Sequence, residues 1–243
     1  MSSQAWFISG ANRGIGFELV KIAANKGHIV FAGARTPAKA IALKNLAATN
    51  PNIHVLQLES TSVSDIAAAA KAVEATTGGL DVVIANAAIL QSEEKAKEVS
   101  IDSLDQHLKV NTLGPLLLFQ ALYPLLAKRG SRKFVAVSSL AGSIAVAPML
   151  PAPLTVYGAS KAALNFITES IHKEHKDEGF IVFPIHPGTV ATDMGNPIKD
   201  SFGDAWHPIT PEQSADGVFK VVEGASKEQS GRFLSYDGSD LPW

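Results

Sequence analysis

This chain predicts a doubly wound α/β domain with a mainly parallel, seven-stranded sheet and helices on both faces. Three observations predict it. Short apolar, β-branched runs alternate with longer stretches of helical composition. The runs are apolar almost without interruption, so both of their faces are covered, as in a parallel sheet. A glycine-rich turn joins the first run to the first helical stretch, where such sheets hold ligands at the carboxyl ends of strands.

The strand candidates are 5–9, 28–33, 53–58, 80–85, 133–138, 180–186 and 232–234. Most are bounded by Gly, Asn, Ser or Pro, which break pairing. The segments between them are long enough for right-handed crossovers. The 243 residues are 46% hydrophobic and 18% charged, which supports a large buried core. No repeat, low-complexity tract or linker divides the chain, so residues 1–243 read as one domain. Two weakly patterned loops, 143–156 and 189–211, each follow a strand and are expected to border the substrate.

A net charge of −2 without a basic block argues against a nucleic-acid partner. The absence of cysteine excludes disulfides and thiolate catalysis. The first apolar run is too short for a signal peptide or a membrane span, so a cytoplasmic protein without a membrane partner is expected. His172, Glu174 and His175 lack a third ligand at metal spacing, so no metal is expected.

The turn comprises Gly10, Asn12, Arg13, Gly14, Ile15 and Gly16. Gly10 permits a sharp bend, while Gly14 and Gly16 let backbone approach a pyrophosphate and pack helix on strand. The helix that follows points its positive end and free N–H groups at the phosphates. The second strand then runs Phe31-Ala32-Gly33-Ala34-Arg35, with none of the acid that binds a ribose diol in NAD sites. Arg35, helped by Arg13, can fork onto a 2′-phosphate, so NADPH/NADP is favoured over NAD.

Tyr157 and Lys161 are four residues apart in a helical run that ends near Asp177, which places both on one face. A nearby ammonium lowers the pKa of a phenol and fits it for proton transfer. Ser139, in a Ser-x-x-Gly register ending at Gly142, can hold a carbonyl oxygen, and the register favours it over Ser138. An isolated Tyr-x-x-x-Lys is a weak signal, more often an exposed pair. Its ordered coincidence with Ser139 and the glycine turn carries the reading.

Gly10-x-x-x-Gly14-Ile15-Gly16 and Tyr157-x-x-x-Lys161 strongly resemble the short-chain dehydrogenase/reductase family, which has a Rossmann-type fold. Asn86-Ala87-Ala88, Asn111, Ser139 and the run Pro187-Gly188-Thr189-Val190-Ala191-Thr192 fit in order. The segment Gly231-Arg232-Phe233-Leu234-Ser235-Tyr236-Asp237-Gly238, closing in Leu241-Pro242-Trp243, looks like the branch of carbonyl reductases and fungal ketoreductases. The resemblance implies that Asn111 interrupts its helix and anchors a proton-relay water, and Pro115 close by supports a local irregularity. It also implies that Lys161 bonds the nicotinamide ribose, Val190 backbone the carboxamide, and Thr192 the pyrophosphate. Glu59 and Ser60 stand where an Asp-led pair contacts adenine, and Asn86-Ala87-Ala88 has Ala where Gly is usual.

The expected activity is NADPH-dependent reduction of a ketone or aldehyde, with Tyr157 as proton donor. The apolar loop 144–154 points to a bulky, apolar or aromatic, secondary-metabolite-like carbonyl. An epimerase, isomerase or cyclase on the same scaffold, or a non-catalytic NADPH-binding regulator, are the alternatives. Leu116, Leu117, Leu118, Phe119 and Leu122 exceed what one core face needs. In the family such helices pair subunits, which implies a homodimer or homotetramer; burial within the same chain accounts for them equally.

Overall fold

The computed structural model describes residues 3–91 and 93–243. Seven parallel strands form one sheet: β1 (Ala5–Ser9), β2 (Ile29–Ala34), β3 (Ile53–Gln57), β4 (Val82–Ala85), β5 (Lys133–Val137), β6 (Ile181–His186) and β7 (Leu234–Ser235). Their order is β3-β2-β1-β4-β5-β6-β7, the doubly wound arrangement expected from the sequence. β1 pairs with β2 in the register Ser9↔Gly33 and with β4 in the register Ile8↔Ile84.

Strand alternation sorts the core into two layers. Trp6 and Ile8 of β1 face α1 (Gly14–Asn25), α2 (Ile41–Thr49) and α8 (Pro211–Gly224), packing on Leu19, Leu43 and Phe219. Ala5 and Phe7 face the opposite layer of α3 (Val63–Thr77), α5 (Gly114–Ala127) and α6 (Thr155–His175), on Val73, Leu122 and Leu164. Helix starts are fixed locally: Ser62 accepts from Asp65 N–H at 3.2 Å, and Thr210 forms a capping box with Gln213.

α4 (Ile101–Leu108) runs into α5 through a π turn over Lys109–Leu113, closed by Gly114 N–H donating to Lys109 C=O. This is the irregularity expected near Asn111 and Pro115. The joined stretch Ile101–Ala127 is, among the described residues, one helix long and apolar enough to cross a membrane, and half of its apolar window is buried in the fold. Leu118, Phe119 and Leu122 lie in the chain's own core, with Leu116 and Leu117 packed against it. Leu118, Phe119 and Leu122 are thus buried within the chain itself, and Leu116 and Leu117 only in part.

The last strand is shorter and later than expected, Leu234–Ser235 rather than 232–234. Arg232 pairs with Asp240, and Leu241 N–H donates to Phe233 C=O at 2.8 Å, so the chain folds back at once. A short α7 (Lys199–Phe202) and flanking 3₁₀ turns occupy the loop that precedes α8.

Candidate active site

The strand order reverses at β1 and β4, and their carboxyl ends open onto a cleft of about 630 Å³. Ser9 Oγ accepts from the N–H groups of Asn86 and Ala87, each at 3.0 Å. Asn86 Nδ2 donates to Ser9 C=O at 2.9 Å, so the two strand ends are bolted together. Gly10 and Gly14 take φ of +65° and +56°, which an L side chain strains to adopt. A Cβ on Gly16 would fall 2.3 Å from Gly10 C=O, so Gly16 serves helix-to-turn packing behind the cleft wall. Among the described residues, no side chain caps the start of α1, which leaves its first N–H groups for an anion. This open cradle at a helix N-terminus fits a dinucleotide pyrophosphate.

Gly10, Asn12, Arg13, Gly14, Ile15, Arg35, Glu59, Ser60, Asn86, Ala87, Tyr157, Lys161, Pro187 and Thr192 all line the cleft. Gly188 (φ +87°) and Val190 are not among the residues that line it; Val190 bridges to Ile209. Thr192 comes within 3.4 Å of where a Gly14 Cβ would stand, so the glycine turn and the 189–211 loop meet. Arg13 Nη1 lies 2.9 Å from Asp193 across this junction, and Arg35 Nε 3.9 Å from Glu59. Thr36 and Lys39 share the Arg35 end of the cleft. The sequence reading missed both; a Lys four residues after Arg35 was the available signal.

Tyr157 and Lys161 project from the first turns of α6, with Lys161 Nζ 5.7 Å from the Tyr157 ring centre. Lys161 is 2% exposed and donates to Val137 C=O at 2.7 Å. Ser139 leaves β5, accepts from Ala141 N–H at 3.1 Å and hydrogen-bonds Tyr157. A Cβ on Gly142 would strike Lys161 backbone at 2.7 Å, so the glycine of the Ser-x-x-Gly register lets this loop seat on α6. Burial pushes the Tyr157 phenol up to about 12, with the Ser139 hydrogen bond pulling the other way. Burial drives Lys161 down to about 7. The lowering of Tyr157 expected from its lysine neighbour does not appear; desolvation dominates, and the phenol is protonated at neutral pH.

Asn111 is fully buried in the π turn. Its Oδ1 accepts from Ile89 N–H at 2.8 Å, and its Nδ2 donates to Ile89 C=O at 2.9 Å and Ser160 Oγ at 3.0 Å. Both amide hydrogens are taken, and the side chain ties the exit of β4 to α6. Beside Tyr157 the two long loops meet in an apolar cluster containing Leu90, Leu150, Leu154, Phe202 and Trp206. The Phe202 and Trp206 rings stand edge to face at 5.7 Å. From the other side, Ala145 N–H donates to Trp243 C=O at 3.0 Å, while the Trp243 ring packs on Phe233.

A family model described as short chain dehydrogenase matches residues 4–202. The chain belongs to the short-chain dehydrogenase family. This dehydrogenase is 38% identical to an uncharacterised oxidoreductase of Schizosaccharomyces pombe, over 100% of this chain and 99% of that protein. It superposes on the NADPH-bound carbonyl reductase from chicken fatty liver with a TM-score of 0.90, at 30% identity and 100% coverage of both chains. The carbonyl reductase Sniffer of Drosophila melanogaster gives the same TM-score and coverage at 28% identity. The chain is therefore an oxidoreductase of carbonyl-reductase-like architecture. Two further polar side chains of this dehydrogenase, Asn165 and His186, bond the loop that carries Ser139, and no motif announces them.

Proposed function

We propose that this dehydrogenase reduces a ketone or aldehyde to the alcohol with NADPH, acting on a bulky apolar or aromatic carbonyl. The observation that carries the reading is the placement of Tyr157 and Lys161, with Ser139 hydrogen-bonded to Tyr157, at a cleft that also presents Arg35 and Lys39. The solved chicken enzyme held NADPH, which supports the cofactor assignment. Bound NADPH supplies the hydride. Gly10, Gly14 and the α1 N-terminus hold the pyrophosphate, Arg13 and Arg35 the 2′-phosphate, Glu59 and Ser60 flank the adenine, and Val190 backbone fixes the carboxamide.

Ser139 holds the carbonyl oxygen and favours charge development there. Tyr157, kept protonated by burial, gives its proton to that oxygen. Lys161, poised near neutrality, resupplies the proton and bonds the ribose. Asn111 holds the neighbouring helices in register for this exchange. The apolar cluster of Leu150, Phe202 and Trp206 beside Tyr157 supports an apolar or aromatic substrate. We propose a homodimer or homotetramer, supported by the exposure of Leu113 and Phe166.

The test is oxidation of NADPH and NADH by the purified protein across aliphatic, aromatic and polyketide-like ketones, with Tyr157→Phe alongside. Turnover with NADPH that collapses in the variant is the expected result. Equal turnover by Tyr157→Phe, or a preference for NADH, overturns the assignment.

A further inference from the structure

The loop that carries Ser139 is held from both sides by side chains with no other evident task. Asn165, one helical turn beyond Lys161 on α6, is 3% exposed. Its Oδ1 accepts from Ser138 Oγ at 2.6 Å, and its Nδ2 donates to Gly142 C=O at 3.3 Å. The two residues it grips bracket the turn that contains Ser139. From the opposite side, His186 at the end of β6 takes the intervening amide: Leu140 N–H donates to His186 Nδ1 at 3.2 Å. Within the loop, Gly142 N–H donates to Ser139 C=O at 2.9 Å, and Ala141 N–H to Ser139 Oγ.

Each bond restricts a different motion. Asn165 fixes how far the loop stands from α6, and therefore from Tyr157. His186 fixes its rotation about the end of β5. An imidazole can accept at Nδ1 only as the neutral tautomer with its proton on Nε2. Its surroundings favour that form: burial holds His186 down to about 4, against the pull of Asp237. A protonated ring would set an N–H against the Leu140 N–H and release the loop.

We propose that Asn165 and His186 are positioning residues that aim the Ser139 hydroxyl at the carbonyl oxygen and at Tyr157. The proposal rests on the reductase reading of the same site. A hydroxyl that must meet an oxygen at hydrogen-bond distance tolerates little play, and a misplacement of about 1 Å costs on the order of 10²-fold in rate.

The experiment is a double-mutant cycle against Ser139→Ala, with kcat, ketone KM and NADPH Kd measured for Asn165→Ala, His186→Ala and His186→Asn. Asn can return an acceptor oxygen near the Nδ1 position. Both alanine variants are expected to lose about 10- to 100-fold in kcat with NADPH Kd unchanged, and His186→Asn to recover most of that loss. On the Ser139→Ala background each alanine change is expected to add less than about twofold, because the group it aims is gone. The ¹⁵N spectrum of His186 provides a readout apart from turnover, expected to show an unprotonated Nδ1. Full additivity with Ser139→Ala, a His186→Asn variant as impaired as His186→Ala, or a protonated Nδ1 overturns the proposal. Absence of carbonyl turnover by the wild-type protein overturns the reductase reading with it. Normal wild-type turnover with additive losses sinks the positioning roles alone.

Discussion

At the scale of single residues, the proposed chemistry depends on two groups that burial moves in opposite senses. Tyr157 is held as a phenol and Lys161 is released toward the amine. For Tyr157→Phe we expect kcat to fall by about 10²- to 10⁴-fold with NADPH affinity intact, measured by single-turnover kinetics and fluorescence titration. For Lys161 the sign follows from linkage. Its value is 10.5 in the reference state and about 7 when folded, so between these the unfolded chain binds the extra proton and stability rises with pH. Below about pH 7 the fold carries the full penalty of a buried ammonium. Lys161→Met is therefore expected to gain most in Tm over wild type near pH 6, with the advantage shrinking toward pH 10. Thermal melts across that range test it, and a pH-independent difference contradicts it. Tyr157, Lys161 and Ser139 were legible in the sequence because each sits in a fixed local register, down to Gly142, whose missing side chain admits Lys161 backbone. Asn165 and His186 were not, because their partners come from loops that only the tertiary fold brings near.

At the scale of elements, the proposed function divides the work of holding a dinucleotide between the turn after β1 and the end of β2. Gly16→Ala sets a Cβ 2.3 Å from Gly10 C=O. Relieving that overlap is expected to cost about 1–3 kcal/mol, read as a lower urea midpoint, and to weaken NADPH binding. Arg35→Asp at the end of β2 exchanges a phosphate fork for a diol acceptor. We expect its NADPH KM to rise about tenfold or more while NADH improves, a reversal that initial-rate kinetics with both cofactors would show. The strand-turn-helix unit was readable because glycine spacing and hydrophobic period agree there. β7 was misplaced because what ends it is the Arg232–Asp240 pair and the return of Leu241, neither of which leaves a periodic trace. The π turn was foreshadowed by Pro115, but its closure on Lys109 C=O is a matter of backbone geometry.

At the scale of the whole molecule, the sheet separates two tasks. Its switch point forms the cleft proposed to take the cofactor, while the far edge and its loops shape what lies beside Tyr157. The seven strands and their doubly wound order could be foreseen from continuous apolar runs between helical segments. The destination of Trp243, against the loop that follows Ser139, could not, because a single backbone hydrogen bond over that sequence distance has no local signature. Removing 241–243 is expected to raise the ketone KM while leaving NADPH Kd unchanged, since Ala145 N–H loses its partner and the cleft loses nothing. Parallel measurement of the two constants tests this; an equal change in both would contradict it.

That distant bond also orders the protein's own manufacture. The ribosome delivers the glycine turn first, then Ser139, Tyr157 and Lys161, and Trp243 well after them. A nascent chain that has passed Thr192 but not reached Trp243 holds every group of the proposed site and leaves the loop after Ser139 without this brace. The wall beside Tyr157 is thus braced only after translation has passed Trp243, later than every group of the proposed site, so the order of synthesis separates having the groups from having the shape.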